Sequence, residues 1–247
     1  MRQCPADLIS LAHELADAAR PIARTYFRQN LGLEIKSDAT PVTLADRTIE
    51  QEWRRIIMEK RPQDGILGEE FGVHQPDAEY QWIFDPIDGT KAFTLGRTSF
   101  GCLIALYHVQ HGFILGLCDQ PITDERWVGA LGYPTTYNDN ELPQRSLDVR
   151  GSLRVGITNP LRFKPALQQC FDALLTQKHV IGYGGDCLNF AGIASGLIDL
   201  SFANHQSVYD VAAFVPMLRG VGAVITQSDG KPLSMDMEDG VLASATP

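Results

Sequence analysis

Trp82-Ile83-Phe84-Asp85-Pro86-Ile87-Asp88-Gly89-Thr90 joins a short apolar run to a polar, proline-stiffened turn. The apolar run reads as a strand that runs into a loop. The loop carries two aspartates three residues apart, and Gly89-Thr90 then opens a helix. Exposed backbone N–H groups at such a helix start attract phosphate. Two carboxylates about 5 Å apart, at an effective dielectric near 20, repel by about 3 kcal/mol. A divalent cation between them removes that cost and also binds phosphate oxygens. Taken alone, the same turn reads first as a structural loop whose acids cap local N–H groups.

Around this stretch the chain alternates between helical and extended patterns. Leu8, Leu11, Leu15, Ala18 and Ile22 form one helical stripe. Lys36 to Pro41 is polar and reads as a loop. A second helix follows, with Thr43 and Asp46 at capping-box spacing and Ile49, Trp53, Ile56 and Ile57 on its apolar face. Gly101 to Tyr107 and Phe113 to Cys118 read as a hairpin, and Glu125 to Leu131 as a further strand. Beyond them, Leu153 to Thr158 reads as a strand, Pro165 to Leu175 and Leu188 to Ser195 as helices, and Leu197 to Phe202 as a strand. Val211 to Arg219 reads as a helix and Gly222 to Thr226 as the final strand. The fold class is therefore α/β or α+β. The Pro-, Asn-, Asp- and Thr-rich stretch from Gly132 to Arg150 holds the best linker. It divides an N-terminal α+β subdomain, 1–145, which carries the acidic loops, from a C-terminal α/β subdomain, 146–247, which closes the site.

Composition narrows the function classes. The chain has 247 residues, 44% apolar and 21% charged, which is ordinary for a globular protein with a sizeable core. A net charge of −9 argues against nucleic acid and anionic membrane as partners. No apolar run approaches the roughly 18 residues of a membrane helix, and the start lacks a signal-peptide pattern. Five widely spaced cysteines without a C-x-x-C fit a reducing cytoplasm rather than a disulfide framework or zinc ribbon.

Three more acidic positions extend the argument. Gly68-Glu69-Glu70 follows Ile66-Leu67 at a strand end, which alone is a solvated loop. Tyr209-Asp210-Val211 puts an aspartate before an apolar helix, where its plain role is an N-cap. Gly184-Gly185-Asp186 is a turn before another helix. Taken together in this order and spacing, Gly68-Glu69-Glu70, Asp85-Pro86-Ile87-Asp88-Gly89-Thr90 and Tyr209-Asp210-Val211-Ala212-Ala213 resemble the inositol monophosphatase superfamily over nearly the whole chain.

The resemblance implies a layered α-β-α-β-α sandwich and a magnesium-dependent phosphomonoesterase. Glu69, Asp85 and the Ile87 carbonyl would hold a first metal, and Asp85, Asp88 and Asp210 a second. A third, weaker ion would sit near Glu69. The cofactor is two or three Mg²⁺ per site, with Mn²⁺ as a substitute; an all-oxygen donor set suits both. Gly89 and Thr90 would offer N–H groups to phosphate. Glu69 and the Thr90 hydroxyl, oriented by Asp46, would serve activation of the attacking water in a direct in-line displacement. Glu70 would support the ligands, and Lys36 would stand near the mouth of the site.

Within the family, Lys36-x-Asp38-x-Thr40-Pro41-Val42-Thr43-x-Ala45-Asp46 resembles both the histidinol-phosphatase and the 3′-phosphoadenosine phosphatase branches, while Asp88-Gly89-Thr90-Lys91-Ala92-Phe93 and Gly184-Gly185-Asp186-Cys187 are similar to the histidinol-phosphatase branch. The expected substrate is L-histidinol phosphate, with Gly185 and Asp186 at the ligand and Asp186 meeting its amino group. One departure concerns inositol. Inositol phosphatases place a glutamate shortly before the equivalent of Asp210, whereas this chain reads Phe202-Ala203-Asn204-His205-Gln206-Ser207-Val208. That leaves Asn204 as an altered ligand contact. The alternatives are inositol 1-phosphate or another polyol or sugar phosphate, 3′-phosphoadenosine 5′-phosphate, and a non-catalytic regulatory binding protein of the same fold. A complete acidic set argues against the last, because without metal it would only destabilise the fold. The resemblance also implies a cytoplasmic homodimer.

Overall fold

The computed structural model describes residues 3–29, 34–35, 41–42, 44–146, 151–159, 163 and 165–246. Lys36 and Thr43, both singled out above, lie outside the described residues.

Two helices cover the outer face of the first sheet. Helix α1 (Ala6–Tyr26) buries Leu8, Leu11 and Leu15 as its stripe predicts. It then turns Ala12, Ala16, Ala19 and Ala23 inward, with Ala18 and Ile22 only partly buried. The small alanines let its backbone lie close to its neighbours. Helix α2 (Leu44–Lys60) buries Ile49, Trp53, Ile56 and Ile57. Trp53 donates its indole N–H to the Leu15 carbonyl at 2.7 Å, tying the two helices together. Burying such a side chain with its one polar atom paired contributes roughly 2–3 kcal/mol.

The first sheet has eight strands: β3 (Gly65–Gly68), β4 (Gly72–His74), β5 (Tyr80–Asp88), β6 (Gly101–His108), β7 (Gly112–Gln120), β8 (Glu125–Ala130), β9 (Thr136–Tyr137) and β10 (Asn140–Glu141). Their order is β10-β9-β8-β7-β6-β5-β3-β4, antiparallel except for β3 beside β5. The hairpin of β6 and β7 is where the sequence places it. Two expectations change. The stretch read as a linker contributes β9 and β10 to this sheet, because its short Thr136-Tyr137 segment pairs with Trp127 and Val128. The loop expected after Phe84 is still strand: β5 runs on through Asp88.

The second sheet has five strands: β11 (Arg154–Ile157), β12 (Val180–Tyr183), β13 (Leu200–Ser207), β14 (Val224–Gln227) and β15 (Glu238–Ser244). Their order is β12-β11-β13-β15-β14, with β11 parallel to both of its neighbours. Neither β12 nor β15 follows from the hydrophobic pattern, so β14 is not the last strand. A remaining two-stranded pair joins β1 (Glu34–Ile35) to β2 (Pro41–Val42).

Helices α5 (Cys187–Ala194), α6 (Val208–Val211) and α7 (Phe214–Gly220) are packed between the two sheets. One buried cluster joins Ile83, Leu103 and Phe113 of the first sheet to Phe190, Phe214 and Met217 of these helices and to Val241 of the second sheet. The single helix read from Val211 to Arg219 is two, broken at Ala212-Ala213. The close approach explains Gly116 on β7, where a Cβ would fall 1.8 Å from the Ala213 carbonyl oxygen. Helix α4 (Pro165–Leu175) covers the far face of the second sheet through Leu167 and Phe171. The layers therefore run α1/α2, eight-stranded sheet, α5–α7, five-stranded sheet, α4, an α-β-α-β-α sandwich. Among the described residues no helix is long and apolar enough to cross a membrane.

Candidate metal and phosphate site

In a regular strand, residues three apart point to opposite faces. Asp85 and Asp88 do not, because β5 is irregular between them. Asp85 pairs with Leu103 and Asp88 with Gly101, so three steps on β5 match two on β6. The extra residue is a bulge, and Pro86 sits in it with no N–H to lose. The Asp85 carboxylate accepts the Ile87 N–H at 3.1 Å, and the Ile87 carbonyl accepts the Thr90 hydroxyl at 3.1 Å. Gly89 then takes the left-handed conformation (φ 88°) that starts α3 (Thr90–Thr94). Glycine is required there twice over. A Cβ would lie 2.9 Å from the Ser99 carbonyl oxygen and 3.0 Å from an Asp186 carboxylate oxygen.

The other acids arrive from separate elements. Glu69 follows β3, with its N–H on the Phe84 carbonyl at 3.2 Å. The turn beyond it is anchored by Glu50, a buried α2 carboxylate absent from the sequence reading. Glu50 accepts the N–H groups of Glu70 (2.8 Å) and Phe71 (3.2 Å) and pairs with Arg54 at 2.8 Å. Asp210 is not the N-cap expected of it. Ser207 is the N-cap of α6, and Asp210, at the third helical position, accepts the Ser207 N–H at 2.6 Å in a capping box. Asp85, Asp88 and Asp210 each offer a carboxylate oxygen within 4.8 Å of the others.

These acids and Glu69 line one cavity of about 240 Å³ together with Ile87, Gly89 and Thr90. Its C-terminal wall is made by Thr158, Asn159, Asp186, Asn204 and Gln206, and among the described residues Lys91 is the one cation that lines it. Five carboxylates against one ammonium set the electrostatics. Burial, then Glu69 and Asp88, holds the Asp85 carboxyl well above the usual carboxylate range. Burial, then Asp186 and Asp210, does the same to Asp88. Asp210 is pushed up to about 7, first by burial and then by Glu69. A phosphate dianion has no place beside such a cluster unless cations neutralise it. The donor set fits that role: hard carboxylate oxygens on three elements, with the Ile87 carbonyl beside them, suited to Mg²⁺ or Mn²⁺.

Asp186 flanks this cluster from the other side of the cavity. It occupies the N-cap position of α5 at φ 39°, ψ −123°, yet its side chain makes no capping bond. A non-glycine residue held there costs about 1–3 kcal/mol and marks a constrained site. Its carboxylate reaches over Gly89 instead, and burial raises it to about 6 against the opposing pull of Lys91. Asn189 holds the preceding turn, donating to the Gly184 carbonyl at 3.0 Å.

Of the residues singled out in the sequence, Glu69, Asp85, Ile87, Asp88, Gly89, Thr90, Asp186, Asn204 and Asp210 meet at this cavity. Asp46 is buried in the first turn of α2, where its charge acts on Asp85. Glu70 lies on the anchored turn behind Glu69, and Gly185 lies behind Asp186 against Asn189. Lys91, Thr158, Asn159 and Gln206 were missed. Lys91 directly follows Gly89-Thr90 and could have been found there. The others carry no motif and meet only because strand ends converge.

The description of the inositol monophosphatase family matches residues 5–247. The chain is 36% identical over 238 residues to the bifunctional phosphatase IMPL2, chloroplastic, of Arabidopsis thaliana, covering 96% of this chain and 68% of that protein. It is 34% identical to the histidinol-phosphatase of Mycobacterium tuberculosis, covering 91% of this chain and 88% of the relative. A solved inositol monophosphatase from Zymomonas mobilis superposes with a TM-score of 0.86 at 39% identity, covering 98% of this chain and 93% of that one. The chain belongs to the inositol monophosphatase family, metal-dependent hydrolases of phosphate monoesters.

Proposed function

We propose that this phosphatase hydrolyses L-histidinol phosphate to L-histidinol. The observation that carries the reading is Asp186, a carboxylate withheld from its own helix and held over the phosphate-binding turn. There it meets a cation carried by the leaving alcohol, as the histidinol ammonium is. The lack of an acid on β13 counts against an inositol ring, whose hydroxyls a glutamate there would bind, and gives histidinol no added support. Ala203 is buried in the core, and its neighbours at the cavity, Asn204 and Gln206, are uncharged amides.

In this reading Glu69, Asp85, the Ile87 carbonyl, Asp88 and Asp210 hold two or three Mg²⁺. When bound, the metal offsets phosphoryl charge and acidifies water. The backbone N–H groups of Gly89 and Thr90, at the start of α3, receive phosphate oxygens. The Thr90 hydroxyl is fixed by its donation to the Ile87 carbonyl, which leaves its lone pairs to accept a hydrogen bond from the attacking water and so to position it. Asp46 lies buried in the first turn of α2, on the Asp85 side of the site.

Phosphate release in Mg²⁺ is to be measured with histidinol phosphate, inositol 1-phosphate and 3′-phosphoadenosine 5′-phosphate. The expected result is a kcat/KM for histidinol phosphate at least tenfold above the others. Equal slow rates on all three would defeat the assignment.

A further inference from the structure

We propose that Lys91 holds the substrate phosphate at the rim of the cavity, and that Lys91 and Asp186 together read an anion and a cation carried side by side on one small molecule. The inference deepens the reading above, yet its first half rests only on the phosphate-binding turn and stands whatever the leaving alcohol is.

Three observations carry it. First, Lys91 lines the cavity together with Gly89, Thr90 and Asp186. It is the second residue of α3, and helical side chains lean toward the N-terminus of their own helix, which for Lys91 is the Gly89–Thr90 turn. Second, the Asp186 carboxylate lies over that same turn, one oxygen 3.0 Å from where a Cβ on Gly89 would stand. An ammonium and a carboxylate thus meet at one short piece of backbone, the piece whose N–H groups suit phosphate. Third, the two side chains feel each other through space, without a hydrogen bond between them, and Lys91 stays exposed. A fixed ion pair would keep Asp186 occupied and would oppose an incoming amine; this arrangement leaves both charges available.

The chemistry of the site decides what such an ammonium serves. Five carboxylates line the cavity with it, so every other charged side chain there repels an anion. A phosphate monoester has three terminal oxygens. Cations at the acidic cluster and the N–H groups of Gly89 and Thr90 offset part of their charge. A lysine ammonium on its flexible stem is the point charge that follows the remainder. When substrate binds, its phosphate draws Lys91 and its own cation takes Asp186, so the two charge pairs form together. Phosphate esters that carry an ammonium near the ester oxygen engage both; a polyol phosphate engages Lys91 alone.

The test compares Lys91→Met and Lys91→Arg with the wild type in Mg²⁺, using inorganic phosphate as the probe. By calorimetry the phosphate Kd should weaken about tenfold in Lys91→Met and stay within about threefold of wild type in Lys91→Arg. KM for histidinol phosphate and for inositol 1-phosphate should rise by a similar factor, with kcat little changed. Phosphate binding by Lys91→Met should also depend less on salt. L-Histidinol, which carries the cation and no phosphate, should bind Lys91→Met no more weakly than the wild type. An unchanged phosphate Kd in Lys91→Met, with an unchanged urea midpoint, would overturn the proposal, and so would equal losses in Lys91→Met and Lys91→Arg. Weakened phosphate binding in Lys91→Met, with no hydrolysis of histidinol phosphate by the wild type, would overturn the histidinol reading and leave Lys91 on the phosphate.

Discussion

Replacing Asp88 with Asn should make the metal-free protein more stable and the enzyme inactive. Asp88 shares its cluster with Asp85 and Asp210, with oxygens within 4.8 Å of one another. At an effective dielectric near 20, one such pair of charges repels by about 3.5 kcal/mol. The two flanking carboxyls are themselves held high by burial and so carry a proton part of the time. The net relief is therefore close to one pair, about 3 kcal/mol, rather than two. Asn is nearly isosteric and keeps an oxygen to accept the Cys187 N–H that now meets the carboxylate. All three tryptophans, Trp53, Trp82 and Trp127, are buried, so fluorescence reports global unfolding in urea. With a slope of about 3 kcal/mol per molar, the midpoint in EDTA should rise by about 1 M. The wild type should gain about 2.7 kcal/mol in Mg²⁺ at a hundred times its Kd, while the variant gains less than about 1. Its kcat/KM should fall by about a thousandfold or more, equivalent to about 4 kcal/mol of transition-state stabilisation. A lower midpoint in EDTA together with an undiminished response to Mg²⁺ would refute the claim that these acids are held together for a cation.

Other perturbations probe the same site. The raised Asp85, Asp88 and Asp210 carboxyls bind more protons in the folded than in the unfolded chain, so metal-free stability falls as pH rises from about 4 through about 7. The difference in melting temperature between Mg²⁺ and EDTA should accordingly widen from pH 5.5 to 8; a constant gap would contradict it. Gly89→Ala places a methyl group against the Ser99 carbonyl at a positive φ. It should cost about 1–3 kcal/mol of stability and at least a hundredfold in kcat/KM, read by urea titration and phosphate release. Asp186→Asn should raise KM for histidinol phosphate by about ten- to a hundredfold, and by far less for inositol 1-phosphate; equal effects would remove Asp186 from amine recognition. Glu50→Gln leaves Arg54 without its counter-charge and loosens the turn after Glu69. The Mg²⁺ concentration for half-maximal activity should rise about tenfold, and an unchanged value would make Glu50 purely structural.

The legible parts of this fold are those whose local pattern agrees with their packing. The Ile49, Trp53, Ile56 and Ile57 face of α2 and the β6–β7 hairpin follow from periodicity and a turn. The convergence of Asp85, Asp88, Asp210 and Glu69 on one cavity was legible only through the resemblance of the three motifs together to a known family, since each acid alone reads as a loop or cap residue. What escaped the reading was set by partners distant in sequence. Asp85-Pro86-Ile87-Asp88 has turn composition, yet it remains strand because β6 pairs with it on both sides of the bulge. Strand β12 is an exposed edge with Gly182 in its middle, so it carries no apolar alternation to detect. Glu50 looks like a solvated helix charge, and its burial makes sense only beside Arg54 and the Glu70–Phe71 backbone. The uncharged wall of Thr158, Asn159, Asn204 and Gln206 exists only just beyond Ile157 and Phe202, where the pairing of β11 with β13 stops.

Acidity alone does not make a cation site, since mobile carboxylates swing into water and relieve their own repulsion. Here each ligand candidate is denied that escape by a donor from its own neighbourhood. The Ile87 N–H holds Asp85, the Ser207 N–H holds Asp210, and Cys187 holds Asp88. Glu50 fixes the turn that follows Glu69. Those donors favour the charged forms, against burial that favours the neutral ones. The carboxylates are thus kept in place and kept close to ionisation, and only an external positive charge resolves the conflict. The same elements that impose it, the β5 bulge and the α6 capping box, also set where phosphate and leaving alcohol must lie. The uncharged wall on β11 and β13 supplies none of these donors, so selectivity can change there while the ligands keep their places, whereas Asp186 is coupled to the cluster through Asp88.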